Sequence, residues 1–348
     1  MAIGSYLATT PDPNVSTNQG SITLLSGTDV TGIQAPLPGD AAVEPEVNMN
    51  SVSCSQPGSC VIVGSYFDGN GQEQGLIDTL SLGAWSSQQA PAPPDISQET
   101  DRHYINLTDV KCDLTGDCVA IGLYNDSVPV TRGVIESETG GVWGETEAPV
   151  PPDAYAGPNP NYLNNELTDL SCPTISSCVA AGAYAQTEAP SFGQFGPQYG
   201  MFVDSLTGGT WVASEVPLPP DSAVGIGLDI SFGEWVSCAA PGQCGATGGY
   251  FNNAAQTNER GVVATLDGGT WTSIAAPVPG NVTASPISRA SMTSISCAAA
   301  GACVAVGFYQ TNLFASSGAP ADQSVIDTLT GGVWTPSEAP PPTSDTSD

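Results

Sequence analysis

The chain is poor in cations and nearly without histidine. Five Lys and Arg and a single His stand against 35 Asp and Glu, leaving a formal charge of -30 over 348 residues. Such a surface repels phosphate backbones and anionic lipid, which excludes nucleic acid as a partner. With one histidine, His103, triad chemistry would have a single base to draw on, so Ser-His-Asp and Cys-His catalysis are not expected. No run of about 18 apolar residues occurs, so no transmembrane segment is expected. Nucleotide-binding glycine fingerprints in a strand-helix setting are missing too. Met1 is followed by neither a basic nor an apolar leader region, which leads us to expect a signal peptide removed before a start Met was added.

What is present is punctuation and repetition. The 40 Gly and 30 Pro favour many turns over long helices, and 40% hydrophobic residues suffice for a core. Five segments align without a gap: SVSCSQPGSCVIVGSY, DVKCDLTGDCVAIGLY, DLSCPTISSCVAAGAY, WVSCAAPGQCGATGGY and SISCAAAGACVAVGFY. Each is followed, after a loop of varying length, by an apolar stretch, a Gly turn, a Trp and a proline-rich exit, as in GLIDTLSLGAWSSQQAPAPPD. Trp85, Trp143, Trp211, Trp271 and Trp334 each precede an exit proline by six residues, and Val30 takes this place in a sixth, incomplete copy at the start of the chain. The spacing of roughly 55 to 70 residues is that of a supersecondary unit repeated along one domain.

Within a unit the pattern predicts four strands: A ending at the first Cys, B over CVAVGxY, C over GLIDTL and D from the Trp. The predicted fold is all-β, a six-bladed β-propeller of four antiparallel strands per blade, with the first blade lacking its innermost strand. It covers 1-348 as one domain, with repeats at about 1-47, 48-104, 105-164, 165-229, 230-289 and 290-348. A β-helix would need much shorter coils, and sandwiches about 100 residues each. The repeat unit resembles that of secreted bacterial β-propeller repeat proteins over essentially the whole chain. That resemblance implies an exported or cell-surface protein and assigns no activity residue by residue.

All ten cysteines fall in C-x5-C pairs: Cys54 and Cys60, Cys112 and Cys118, Cys172 and Cys178, Cys238 and Cys244, Cys297 and Cys303. Each pair is expected to close its own A-B hairpin, in an oxidising compartment. Two sulfurs per blade cannot make a four-ligand metal site, so none is predicted.

The strand order puts the A-B and C-D turns on one uniform face and the variable B-C loops and D-A linkers on the other. Candidate ligand-binding residues are those in or beside the variable segments: Arg102, His103, Tyr104, Arg132, Phe192, Phe195, Arg260, Arg289 and Phe314. Asp40, Asp95, Asp153 and Asp221, with Asn281, recur after the proline exit and read as Asx turns, with calcium as the secondary alternative. Asp68-Gly69-Asn70-Gly71-Gln72 looks like part of an oxygen-ligand loop without its distal glutamate. The recurrent Trp and Tyr read as packing between blades. The Gly-Gly-Thr-Trp turn at Gly268 resembles the Asp-box of sialidases but is one residue short between Asp267 and Trp271, so no sialidase residue is carried over. Asp78, Glu136, Asp204 and Asp327 occupy one repeated strand-C position, a poor place for a unique catalytic pair.

No cofactor is therefore expected, and the leading expectation is a non-catalytic extracellular scaffold that binds a glycan or a protein surface through its loop face. The alternatives are a structural subunit of an extracellular homo-oligomer or filament joined at the open first-blade edge, and a carboxylate-dependent glycan-active enzyme.

Overall fold

The computed structural model describes residues 2–6, 21–26, 29–100, 102–128, 130–155, 165–186, 199–222, 234–253, 258–280, 289–314 and 320–340. Every regular element among them is a strand. The first repeat contributes β1 (Ala2–Tyr6), β2 (Ser21–Ser26) and β3 (Asp29–Gln34); the second β4 (Asn48–Gln56), β5 (Ser59–Phe67), β6 (Glu73–Ser81) and β7 (Ala84–Gln89). The third holds β8 (Ile105–Cys112), β9 (Cys118–Asn125), β10 (Thr131–Thr139) and β11 (Val142–Glu147); the fourth β12 (Asn165–Thr174), β13 (Ser177–Ala185), β14 (Tyr199–Thr207) and β15 (Thr210–Val216). The fifth and sixth follow with β16 (Trp235–Ala240), β17 (Gln243–Phe251), β18 (Glu259–Asp267), β19 (Thr270–Ala275), and β20 (Ala290–Ala299), β21 (Ala302–Phe314), β22 (Pro320–Thr330), β23 (Val333–Glu338).

Strands pair in chain order, giving one three-stranded sheet from the first repeat and five four-stranded sheets from the others. Neighbouring strands pair antiparallel. The fold class is thus the expected all-β meander. The chain divides into two compact units, Met1–Ala180 with Asp204–Ala213, and Ala181–Val203 with Ser214–Asp348.

All five disulfides form inside their own A-B hairpins. In the second, third, fifth and sixth repeats the two cysteines face each other directly in register. Each bridge closes a very short loop, so complete reduction should cost about 2 kcal/mol per bridge. Urea midpoints with and without reductant test this: a midpoint that stays put after full reduction would show that the hairpins need no staple.

The C-D turns show why their residues recur. Gly140-Gly141, Gly208-Gly209, Gly268-Gly269 and Gly331-Gly332 all have positive φ at both positions, the two-residue turn whose twist matches the flanking strands. In the second repeat Leu82, at φ 51°, takes the first glycine's place and lies fully exposed.

Strand A carries a bulge. Pairing shifts by one residue between Met49 and Ser51, Leu107 and Asp109, and Met292 and Ser294, leaving Asn50, Thr108 and Thr293 extra. Opposite stand Gly64, Gly122 and Gly307, the glycines of the CVAVGxY run. A Cβ on any of them would press into strand-A main chain.

The serine of the repeated Ser-Cys dipeptide also has a visible job. Ser53 Oγ accepts the Cys112 N–H at 2.9 Å, and Ser237 Oγ accepts that of Cys297 at 2.9 Å, so strand A of one repeat is tied to strand A of the next. Asp109 adds a second tie in the first unit, accepting from Ser51 Oγ at 2.6 Å and from the Leu170 N–H at 3.1 Å. Between these ties apolar faces meet: Val61, Val63 and Ile77 of the second repeat pack on Ile105, Leu107 and Val110 of the third. In the second unit Val263 packs on Met292, Ile295 and Val325. The last sheet differs, for Val304 and Val306, counterparts of the covered Val61 and Val63, are 42% and 40% exposed.

Candidate functional site

The linkers between repeats are built on the aspartate after the proline exit. The residue following that aspartate donates its N–H to the proline carbonyl three back, at 3.1 Å for Ala41, 3.0 Å for Ile96 and 2.9 Å for Ser222. The carboxylate itself does not cap this turn as an Asx residue would. It accepts the hydroxyl of the buried strand-B tyrosine: Tyr66 to Asp40 at 2.9 Å, Tyr124 to Asp95 at 3.0 Å, Tyr250 to Asp221 at 2.7 Å. A large aromatic can be buried here because its hydroxyl has this partner. The Asx turns lie elsewhere, at Asp68, Asp113 and Asp126. In the Asp68 loop both carboxylate oxygens are taken by N–H donors, from Asn70 and Gln72 on one and Gln74 Nε2 on the other. Among the described residues no group of three or more His, Cys, Asp or Glu is arranged to hold a metal ion.

The predicted cationic ligand residues are engaged with acids of the chain. Arg132 binds Asp126 at 2.6 Å and Glu147 at 2.9 Å; Arg260 binds Asp221 at 3.0 Å; Arg289 binds Glu259 at 3.0 Å and stands over Phe308; Arg102 lies 3.4 Å from Glu99. Lys111, the fifth basic residue, pairs with Asp109 at 2.5 Å. Phe192 and Phe195 lie outside the described residues, and Phe314 is described only as backbone at the end of β21.

Tyr104, by contrast, sits in a cluster of acids. Glu73, at the start of β6, forms a parallel bridge with Tyr104, just ahead of β8, and accepts Ser65 Oγ at 2.7 Å. Burial pushes the Glu73 carboxyl above its ordinary range, the charge of exposed Glu46 pushes the same way, and the Ser65 hydrogen bond opposes both. Glu166, near the start of β12, is raised by burial alone. The Tyr104 hydroxyl is raised by burial, opposed by its hydrogen bond with Asn106, with smaller upward pushes from the charges of Glu73 and Glu166. Asn106 Nδ2 donates to the Tyr104 hydroxyl at 3.4 Å and is itself oriented by Asn50 Nδ2 at 2.7 Å. Glu46 has a backbone φ of 43°, a conformation a non-glycine residue holds only when its surroundings impose it. Glu73, Tyr104 and Glu166 are half-buried, so the cluster can be reached from solvent.

A carboxyl group whose ionised form is disfavoured by burial can give its proton to a leaving oxygen, and a second can take or stabilise charge. These residues lie at or just outside the edges of the repeated strands, beyond the motif that recurs. One signal was present: Glu73 and Glu259 each stand two residues before the glycine that opens strand C, as Glu-Gln-Gly and Glu-Arg-Gly. The disulfide face is not featureless either. In the second unit a cleft of about 480 Å³ opens there, lined by Gln243, Thr265, Asp267 and Trp334 among others.

No protein-family model matches the chain. No curated protein matches either. Solved structures do resemble it at low identity. A multiple-arginine mutant of AofleA from Arthrobotrys oligospora shows 12% identity and a TM-score of 0.40, over 97% of this chain and 86% of that one. A thermostable family-43 glycoside hydrolase gives 10% and 0.38, over 88% and 98%. Trypanosoma rangeli sialidase in complex with sialic acid gives 9% and 0.39, over 90% of this chain and 50% of that one. No residue or substrate is carried over from them. The expectation of a non-catalytic scaffold is corrected by the described residues themselves, where Glu73, raised by burial, bridges Tyr104 and a second raised glutamate, Glu166, acts on the same hydroxyl.

Proposed function

We propose that the chain is a carboxylate-dependent, glycan-active enzyme whose reacting groups are drawn from Glu73 and Glu166, with Tyr104 between their fields. One observation carries this reading: half-buried Glu73 bridges Tyr104 and accepts Ser65 Oγ at 2.7 Å, and a second half-buried glutamate, Glu166, from another repeat acts on the same tyrosine, both carboxyl groups being raised by burial. Glu73 is the better proton donor, since Ser65 holds its orientation and Glu46 disfavours its ionised form. With a formal charge of -30 the protein repels acidic sugars, so a neutral oligosaccharide fits better than a sialylated one.

The scaffold for this chemistry is, in the same proposal, a six-bladed propeller with a three-stranded first blade. Six repeats, one sheet each, and face-to-face packing of successive sheets inside each unit support it. Five disulfides support an oxidising, extracellular location.

Incubation with a panel of neutral and acidic oligosaccharides, read by released reducing ends, tests the reading. Glu73→Gln and Glu166→Gln should each lower hydrolysis roughly 100-fold or more. Activity should fall as pH rises through the titration of the raised acid, because the proton donor is lost there. Hydrolysis that both substitutions leave intact would overturn the assignment.

A further inference from the structure

On the disulfide face of the second unit, the cleft of about 480 Å³ runs between the fifth and sixth repeats. Val263, Leu329 and Trp334 line it and are buried, so its floor is apolar. Ile274, 50% exposed, extends the apolar lining outward, and Asp267 is the one charged residue among those that line the cleft. The Thr265 and Thr272 hydroxyls stand 3.4 Å apart and bond to each other, which leaves the Asp267 carboxylate as the strongest acceptor there. The corresponding groove of the first unit, beside Trp143, measures about 190 Å³ and has Glu138 where this cleft has Leu329.

Asp267 is also where the fifth repeat leaves the pattern of the others. Four residues before the Trp, the other repeats carry Ser81, Thr139, Thr207 and Thr330, all uncharged. Three residues further back, where they bury Asp78, Glu136, Asp204 and Asp327, the fifth repeat has Ala264. It has lost the buried carboxyl and gained an exposed one at the cleft. No cation of the chain serves that carboxylate, because all five Lys and Arg sit on other acids.

We propose that this cleft docks a basic segment of a partner protein, one Lys or Arg side chain lying with its hydrocarbon stem on Leu329, Val263 and Ile274 and its cation at Asp267. Long basic side chains join an apolar stem to a charged head, and the cleft offers an apolar floor with a single carboxylate. The formal charge of -30 draws basic partners from a distance, while the cleft selects among them by shape. Glu73, Tyr104 and Glu166 take no part in this site, so the two proposals stand or fall separately.

The test titrates the ¹⁵N-labelled full chain with an acetylated, amidated pentapeptide, Gly-Ala-Lys-Ala-Gly, and follows the backbone amides of Ala299, Ala300 and Gly332, which line the cleft. These should shift saturably. The same peptide with norleucine at its centre keeps the stem and loses the cation, and should bind about tenfold more weakly. Asp267→Thr restores the residue of three sister repeats and removes only one unit of the -30 charge, and it should bring the lysine peptide down to the norleucine peptide's affinity. Ile274→Lys, at an exposed position, gives the cleft a cation of its own and should abolish binding. A lysine peptide that binds the parent and Asp267→Thr equally would show attraction by net charge alone and overturn the proposal. Equal affinity for the lysine and norleucine peptides would overturn it too, as would amides that respond to methyl glucoside and not to the lysine peptide, the behaviour of a sugar cleft.

Discussion

Unfolded by urea across a pH series, the protein should be most stable in mild acid, near pH 4 to 5, and should lose stability steadily as the pH rises towards 9. The cause is a set of buried carboxyl groups at one repeated position. Asp78, Glu136, Asp204 and Asp327 are each 0% exposed, and neither oxygen of any of them has a hydrogen-bond partner. Burial raises Asp78 to about 7, tempered by the nearby Ser87 hydroxyl without a formed hydrogen bond, and raises Asp204 to about 8 and Asp327 to about 7. Glu136 goes to about 9, with the charge of Glu145 across the strand pair adding to burial.

The sign follows from proton counting. Between the ordinary carboxyl range near 4 and these raised values the native state binds more protons than the unfolded chain, so stability falls with rising pH. The contribution of each group is present in full below about pH 4 and is lost as pH passes through 7 to 9, on the order of a few kcal/mol per group. Carboxylates such as Asp68 and Asp113, held low by the N–H and hydroxyl groups that reach them, act in the opposite sense below pH 4 and set the acid edge. Asp327→Asn and Glu136→Gln should flatten the alkaline side of the profile. Stability that rises between pH 5 and 8 would contradict this account.

The second large effect is expected at glycine. A methyl group on Gly122 would lie 2.7 Å from Leu107 Cα and closer still to the Asn106 carbonyl oxygen; Gly64 and Gly307 face Asn48 and Ser291 in the same way. These obstacles are main chain, fixed by the bulge and by the ties between successive A strands, so they cannot rotate aside. Gly122→Ala should therefore cost about 4 kcal/mol or more, in the range reserved for backbone collisions and core disruption. Gly144, with nothing within 4 Å of its added Cβ, is the control, and Gly144→Ala should stay within about 0.5 kcal/mol. Equal losses at the two sites would refute the bulge explanation.

The repeat pattern carried much of the architecture. C-x5-C spacing and alternation were enough to place four strands per unit and all five disulfides, because hairpins are local and their turn residues announce themselves. The glycine of CVAVGxY was visible as a recurrent letter, but its reason, a bulge in the neighbouring strand, was not. The same holds for Asp40, Asp95 and Asp221: their recurrence was plain, yet the partner is a tyrosine 26 or 29 residues further along the chain. The arginines read as ligand residues from their place in or beside the variable segments sit on acids such as Glu259, 30 residues from Arg289.

What the sequence by itself determined is therefore what depends on neighbours along the chain: strand, turn, staple and the count of repeats. The tertiary structure decided everything that depends on which side chains meet across sheets. Glu73 and Glu166 are 93 positions apart in sequence, and their carboxyl pKa values are raised because packing removes water from both. Gln74 reaches both Asp68 and His103, 6 and 29 residues away, only because the fold gathers them. Desolvation and hydrogen-bond polarity are properties of an assembled neighbourhood, and no single repeat contains one.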